Sequence, residues 1–357
     1  MFGTLRLLLA YLVVVSHLMG SEYFVHFGLY AVQSFFVLSG FIITVALNEV
    51  YRFEGSRFWA NRLLRLLPLY YVVCLATLAV IAFWPKEAGD FLPTWQRGAG
   101  ENYDVLLNLL AFPLQFGQPA FRLVPPFWSV VLEIEMYLLL WIVIARREAY
   151  AAIALAAGTA YHLACIFNGL DWTLRYVAPP SALLAFPLGA LLYFWKKRDW
   201  FNVGPATASL AFAAWTGNMM AAGLVFSTVY DVGYYLNVVF LAVLVAGLAR
   251  VRLGTRIHAF DKALGDMAYP LFLVHWLVGF LVSLAFFPQT SRGLMLTLVA
   301  TPVGFIAAFG LAGINRRYTD PARDYVRGMM IDLSWTSAEA RGAHTPAGQE
   351  QRSAMSR

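Results

Sequence analysis

Long apolar stretches follow one another along this chain, separated by short segments that carry most of its charged residues. An α-helix needs about 20 apolar residues to cross the roughly 30 Å hydrocarbon core of a membrane. The pattern therefore predicts an all-α, polytopic membrane helix bundle with about ten transmembrane helices. The predicted spans are residues 5–19, 29–48, 67–84, 127–144, 149–166, 180–195, 204–226, 232–249, 268–287 and 292–313.

Two further segments do not fit the spanning pattern. Residues 105–116 are apolar but too few to cross, so they predict an interfacial or re-entrant piece. They lie in the proline-rich segment 85–126, which predicts a loop with room for a substrate lid. From about residue 334 the chain is polar and built of small residues. This divides it into a membrane domain, 1–333, and a disordered tail, 334–357.

Composition supports an integral membrane protein. Hydrophobic residues make up 60% of the 357 positions and charged residues only 13%, whereas a soluble domain carries roughly 25% charged residues. The two cysteines, Cys74 and Cys165, both lie inside apolar runs. Neither a disulfide framework nor a cysteine metal site is therefore expected.

The distribution of positive charge predicts the orientation. With ten spans both termini lie on one side, and 21 of the 26 Lys and Arg residues fall on that side. Cytoplasmic loops carry an excess of Lys and Arg, so both termini are predicted to lie inside.

His17, Glu133 and His275 are three of the ionisable residues that lie within predicted spans. Such residues cost about 2.5–3.5 kcal/mol or more at the centre of a membrane helix unless they are partnered, and they often mark functional sites. Helical rise places them roughly 16, 20 and 12 Å above the inner boundary. They could run acid–base chemistry, or they could simply hydrogen-bond neighbouring helices. Glu135 faces a different side of its helix and ranks below Glu133.

A pair of arginines precedes the third predicted span. Arg62 and Arg65 are three positions apart, and hence share one face of a helix. They could be ordinary anchors at the inner surface of the membrane. They could equally form a phosphate site, because guanidinium groups grip phosphate oxygens in pairs. The spacing alone leaves both interpretations open.

Five short motifs in a fixed order make the chain similar to the acyltransferase-3 family of bacterial integral-membrane acyltransferases. They cover the predicted membrane domain nearly from end to end. The motifs are Arg6 with His17; Phe35 to Phe41 with Ser39 and Gly40; Arg62 and Arg65 with Pro68; Trp128, Ser129, Glu133 and Tyr137; and Gly265, Tyr269 and His275.

The resemblance implies that an acyl group, often acetyl, passes from an acyl-CoA donor substrate to a hydroxyl of a carbohydrate or glycolipid. It implies a multi-pass protein of the bacterial inner membrane, with no bound cofactor, no metal and no nucleic-acid partner. His17 would be the general base, and Glu133 would orient the imidazole or stabilise its protonated form. Donor- or substrate-binding residues would be Arg6, Arg62, Arg65, Ser39, Trp128, Tyr137, Tyr269 and His275.

A proton-coupled transporter or flippase is the alternative, since the same buried His and Glu residues could form a proton relay. The chain lacks the inverted repeat and the paired Gly- or Pro-broken spans that mark a midplane transport site. A membrane scaffold without catalysis would leave the buried ionisable residues unexplained. Coenzyme A binding would discriminate these classes from an acyltransferase.

Overall fold

The computed structural model describes residues 1–20, 24–96, 101–110, 121–224, 232–287 and 292–328, and these contain no β-strand. The predicted tail, 334–357, lies outside the described residues, as do residues 111–116 of the predicted interfacial piece. The helices are α1 (Phe2–Leu18), α2 (Val25–Val45, continued by a π turn to Val50), α3 (Gly55–Phe83), α4 (Pro85–Phe91), α5 (Glu101–Leu110), α6 (Trp128–Ile142), α7 (Glu148–Phe167), α8 (Ala185–Lys197), α9 (Pro205–Leu224), α10 (Val232–Leu248), α11 (Thr255–Phe286) and α12 (Leu294–Tyr318).

The all-helical prediction is confirmed. Nine predicted spans each coincide with one long helix, and the tenth, 180–195, is divided between a 3-10 segment, Pro179–Leu183, and α8. Among the described residues, six helical segments are long and apolar enough to cross a membrane. They are Val25–Val50, Gly55–Phe83, Pro125–Ile142, Glu148–Phe167, Thr255–Phe286 and Leu294–Tyr318. The count of ten and the inward termini stay predictions.

Helices α1 and α11 run parallel and in contact. Both begin at the same end of the bundle, which we call the lower end. Gly3 and Asp261 pair near this end, and His17 and His275 pair further up at the same offset of 258 positions. The Asp261 carboxylate accepts the backbone N–H groups of Gly3 at 3.0 Å and Thr4 at 2.9 Å. These bonds satisfy N–H groups that a helix start leaves without partners.

Glycine makes this close approach possible. A Cβ on Gly3 would lie 1.7 Å from the Asp261 carbonyl oxygen, and one on Gly265 would lie 2.8 Å from the Gly3 Cα. Helices α2 and α8 meet in the same way, since a Cβ on Gly40 would lie 2.2 Å from the Phe186 carbonyl oxygen. Small residues let membrane helices pack backbone to backbone.

The described parts of the segment between α3 and α6 include α4, which packs against α3 and α11, and α5, which packs against α3. Asn108 of α5 is buried and receives the Tyr70 hydroxyl on its backbone oxygen at 2.6 Å. Its side chain also donates to the Phe121 carbonyl at 2.9 Å and accepts from the Leu123 amide at 2.9 Å. Tyr70 lies midway along α3, so α5 reaches into the bundle. The interfacial or re-entrant placement of residues 105–116 stays a prediction.

Candidate functional site

A cavity that we call the lower cavity lies between α1, α2, α3, α6 and α11. Its empty volume is about 740 Å³, including the part that opens to solvent. Arg6, Arg62 and Arg65 all line it. Arg62 is only 6% exposed, and its Nε has no hydrogen-bond partner. None of the three forms an ion pair with a carboxylate of the described residues.

Glu133 is the acidic residue of the lower cavity. Its Oε1 accepts two hydrogen bonds, one from the Ser39 hydroxyl at 2.5 Å and one from the Tyr137 hydroxyl. Tyr137 lies four residues further along α6, a spacing that puts both side chains on one helix face. Oε2 makes no hydrogen bond to any described residue. The carboxylate is therefore held on one oxygen and has its other oxygen available.

A second cavity, the upper cavity, lies above the first and has an empty volume of about 510 Å³. His17, Ser16 and Trp128 line it, and the Trp128 ring meets Tyr176 edge-on at 5.1 Å between centroids. The two cavities share three lining residues, Val32, Ser129 and Phe272. They are therefore neighbouring spaces with a common wall.

His17 and His275 form a hydrogen-bonded pair whose proton positions follow from their partners. His275 Nδ1 lies 2.8 Å from the Phe272 carbonyl oxygen. A carbonyl only accepts, so Nδ1 carries a proton and, in the neutral ring, His275 Nε2 is an acceptor. His17 Nδ1 lies 2.9 Å from that Nε2 and must donate to it. Neutral His17 therefore has its unprotonated nitrogen, Nε2, without a hydrogen bond to any described residue, and its ring lines the upper cavity.

Arg292 supports this pair from the upper end of α1. Its Nη1 donates to the His17 carbonyl oxygen at 3.3 Å, and its guanidinium lies 5.3 Å from the centre of the Trp276 ring. The Trp276 ring in turn lies 5.1 Å from the His17 ring. The imidazole is thus held by contacts on its nitrogen, its ring and its backbone.

Comparison with known proteins agrees with the motifs that surround these cavities. A family model described as an acyltransferase domain matches residues 3–314. The chain belongs to the acyltransferase-3 family. The family resemblance of the sequence motifs is thereby confirmed.

One curated relative of this acyltransferase-3 family member is a Bacillus subtilis (strain 168) protein with the printed name "Putative peptidoglycan O-acetyltransferase YrhL". The two are 27% identical over 121 residues, which are 31% of this chain and 18% of the relative. The match thus spans less than a fifth of the relative's length. No solved structure matches the chain significantly.

The structure corrects one prediction for this acyltransferase-3 protein. We expected Glu133 to orient the His17 imidazole or to stabilise its protonated form. The hydrogen-bond partner of His17 is instead His275, and Glu133 binds Ser39 and Tyr137. The reason is that α2 packs against both α1 and α6. Similar depth in the membrane does not place two side chains on facing sides of their helices.

The remaining predicted residues are brought together in two groups. Ser39, Tyr137 and Tyr269 join Glu133 and the three arginines around the lower cavity, and Trp128 joins His17 around the upper one. His275, predicted to bind donor or substrate, lines neither cavity and instead holds His17. Sequence reasoning did not assign Ser129 or Phe272 to the site. Each lies one helical turn from a predicted residue, Glu133 or His275, and that spacing was the available signal.

Proposed function

We propose that the protein is a membrane O-acyltransferase that moves an acyl group, most simply acetyl, from acyl-CoA to a hydroxyl of a carbohydrate or glycolipid. The observation that carries this proposal is a cavity lined by His17, whose Nε2 bonds to no described residue, next to a cavity lined by three arginines that pair with no carboxylate of the described chain. Membership of the acyltransferase-3 family and the printed name of the B. subtilis relative support the same reaction class.

The lower cavity suits the phosphorylated donor. Coenzyme A carries several phosphate groups, and guanidinium groups bind phosphate through charge-assisted hydrogen bonds. Arg6, Arg62 and Arg65 have no competing ion pairs in the described structure, so their charges are available. In this arrangement the pantetheine arm lies in the lower cavity. It brings the thioester to Val32, Ser129 and Phe272, the residues at which the lower and upper cavities adjoin.

The upper cavity suits the acceptor and the chemical step. His17 Nε2 takes the proton of the acceptor hydroxyl while its oxygen attacks the thioester carbonyl carbon. The tetrahedral intermediate then collapses, the carbon–sulfur bond breaks, and the imidazolium returns the proton to the departing sulfur. His275 stabilises the imidazolium by accepting from Nδ1–H. Trp128 and Tyr176 offer aromatic faces for a sugar ring.

Glu133 has a different task in this proposal from that of orienting His17. It fixes Ser39 and Tyr137 and places a negative charge among the three guanidinium groups. The negative charge of Glu133 offsets the mutual repulsion of the three arginines. Glu133 is the one carboxylate among the described residues that line this cavity. Glu133 thereby prepares the donor end of the site.

The proposed orientation places the lower end in the cytoplasm, where acyl-CoA is made, because 21 of 26 Lys and Arg residues fall on the side of the termini. The acceptor then enters from the opposite side, and the location is the bacterial inner membrane. Neither the family nor the B. subtilis relative supports the transporter alternative.

The test is transfer of labelled acetyl from acetyl-CoA to a carbohydrate acceptor by the protein in lipid vesicles, comparing the Arg62→Gln/Arg65→Gln variant with the native chain. Hydrogen bonds to charged groups contribute about 1.5–3 kcal/mol, so the KM for acetyl-CoA should rise about 10- to 100-fold. Arg57→Gln is the matched control, because Arg57 lies on the same helix but pairs with Glu54 at 3.0 Å. An unchanged donor KM in the double variant would remove the phosphate assignment.

Mass spectrometry of surface and exported glycans supplies the second test. Cells with and without the gene should differ in the acyl content of one glycan. Equal acylation in both would exclude a polysaccharide acceptor.

A further inference from the structure

A third cavity, which we call the mouth, opens at the lower end directly beneath the lower cavity. Arg6, Arg65 and Tyr269 line both spaces, so the two adjoin. The mouth has an empty volume of about 790 Å³, including its open part. Its other charged lining residues come from α11 and from the helical residues 320–328: Lys262, Asp266, Asp320, Arg323, Asp324 and Arg327.

Positive charge exceeds negative charge around the mouth. Five cationic and three acidic side chains line it. All three acids are engaged in ion pairs, at 2.8 Å for Lys262–Asp266, 2.5 Å for Arg323–Asp320 and 3.3 Å for Arg327–Asp324. Ion pairs that are exposed to solvent contribute little to stability. Lys262 and Arg327 can therefore turn to a bound phosphate at little cost.

Arg323 is the buried member of this set. Its side chain is 11% exposed, and its buried Nε has no hydrogen-bond partner. Its backbone oxygen accepts from the Asn61 side chain at 3.3 Å, which ties residues 320–328 to α3 next to Arg62. A buried donor without a partner is destabilising. An anion in the mouth would supply the missing acceptor.

We propose that the mouth binds the nucleotide end of the donor, with Lys262, Arg323 and Arg327 contacting the ribose phosphate that lies farthest from the thioester. Arg6 and Arg65, shared with the lower cavity, then contact the diphosphate. The inference rests on the proposed function and deepens it. It assigns a binding role to residues 320–328, which follow the last residue matched by the family model, 314.

The experiment compares two donors, acetyl-CoA and acetyl-dephospho-CoA, which lacks only that ribose phosphate. The full-length protein in vesicles is assayed as the native chain, as Lys262→Gln/Arg327→Gln and as the control Arg317→Gln. Arg317 is a cation near the same end of the bundle, exposed and outside the mouth. In the native chain and the control, loss of the phosphate should raise the donor KM about tenfold.

In the Lys262→Gln/Arg327→Gln variant, the KM for acetyl-CoA should rise about tenfold. The KM of this variant for acetyl-dephospho-CoA should equal the KM of the native chain for acetyl-dephospho-CoA. Such non-additivity between two changes reports a direct contact. Equal KM values for the two donors in the native chain would overturn the inference and leave the acyltransferase intact. An equal loss with both donors in the variant would also overturn it, since it would indicate a structural effect. No transfer from either donor by the native chain would remove the proposed function and this inference together.

Discussion

The lower and upper cavities share a wall but differ in nearly every other respect. The lower one is lined by three arginines and a carboxylate, and the upper one by an imidazole and aromatic rings. Arg6 lies 11 residues below His17, roughly 16 Å along the helix. A guanidinium close to an imidazole disfavours protonation of the ring. The distance therefore spares His17 the charge of Arg6, although Arg292 lies near the upper end of α1.

The comparison makes a general prediction about kinetics. Changes in the lower cavity should act on the donor, and changes in the upper cavity should act on the rate and on the acceptor. The four variants below test this division, beginning with the largest expected effect.

His17→Ala should reduce kcat about 10²- to 10⁴-fold, the range that positioned general bases contribute. The KM for acetyl-CoA should stay within about twofold, because the arginines are untouched. Steady-state transfer assays in vesicles measure both parameters. His258→Ala is the control, an exposed histidine at the lower end. A His17→Ala protein that keeps more than a tenth of the native kcat would refute the assignment.

Glu133→Gln should reduce kcat/KM for acetyl-CoA about 10- to 100-fold. The amide oxygen can still accept from Ser39 and Tyr137, so the variant removes charge and keeps geometry. Bonds to a charged acceptor contribute about 1.5–3 kcal/mol, more than bonds to a neutral one. The matched control is Glu135→Gln, because both Glu135 oxygens are buried without partners among the described residues. Equal losses of kcat/KM in Glu133→Gln and Glu135→Gln would contradict the role assigned to Glu133 at the donor end of the site.

His275→Leu should reduce kcat roughly 5- to 100-fold, because it leaves the His17 Nδ1–H without an acceptor. His275→Gln can place an oxygen near the former Nε2 and should recover part of the loss. Donor KM should not change in either variant. A role for His275 in binding donor would instead appear as a raised KM for acetyl-CoA that Gln does not restore.

Trp128→Ala should raise the KM for the carbohydrate acceptor about 2- to 10-fold, the effect of losing an aromatic contact of about 0.5–1.5 kcal/mol. Donor KM and thermal stability should change little. Trp200→Ala serves as control, since Trp200 is 66% exposed and lines neither cavity. If Trp128→Ala raised the donor KM and left the acceptor KM unchanged, the assignment of Trp128 to the acceptor would be wrong.

Hydrophobic patterning predicted the helices well but not where they begin. Helix α3 starts at Gly55 instead of 67, and α11 at Thr255 instead of 268. In both cases the missing turns carry charged residues, including Arg62, Arg65 and Asp261. Hydropathy detects the part of a helix that suits lipid, whereas backbone hydrogen bonding continues into the polar part.

Spacing predicted contacts within a helix, and it did not predict contacts between helices. The four-residue step from Glu133 to Tyr137 gives a hydrogen bond on one face of α6. The partner of His17 depends instead on how α1 is rotated against α11. That rotation follows from the tight contact of Gly3 with Asp261 and Gly265, which only the folded chain reveals.

In the proposed mechanism, the contact at Gly3 affects the reaction although Gly3 lies far from the reacting groups. A single added methyl group there would meet the Asp261 carbonyl oxygen at 1.7 Å and force α1 away from α11. His17 lies fourteen residues further along α1, so its ring would move away from that of His275. The proton on His17 Nδ1 could then move to Nε2. A survey of inactivating substitutions should therefore find Gly3 as sensitive as residues that touch substrate.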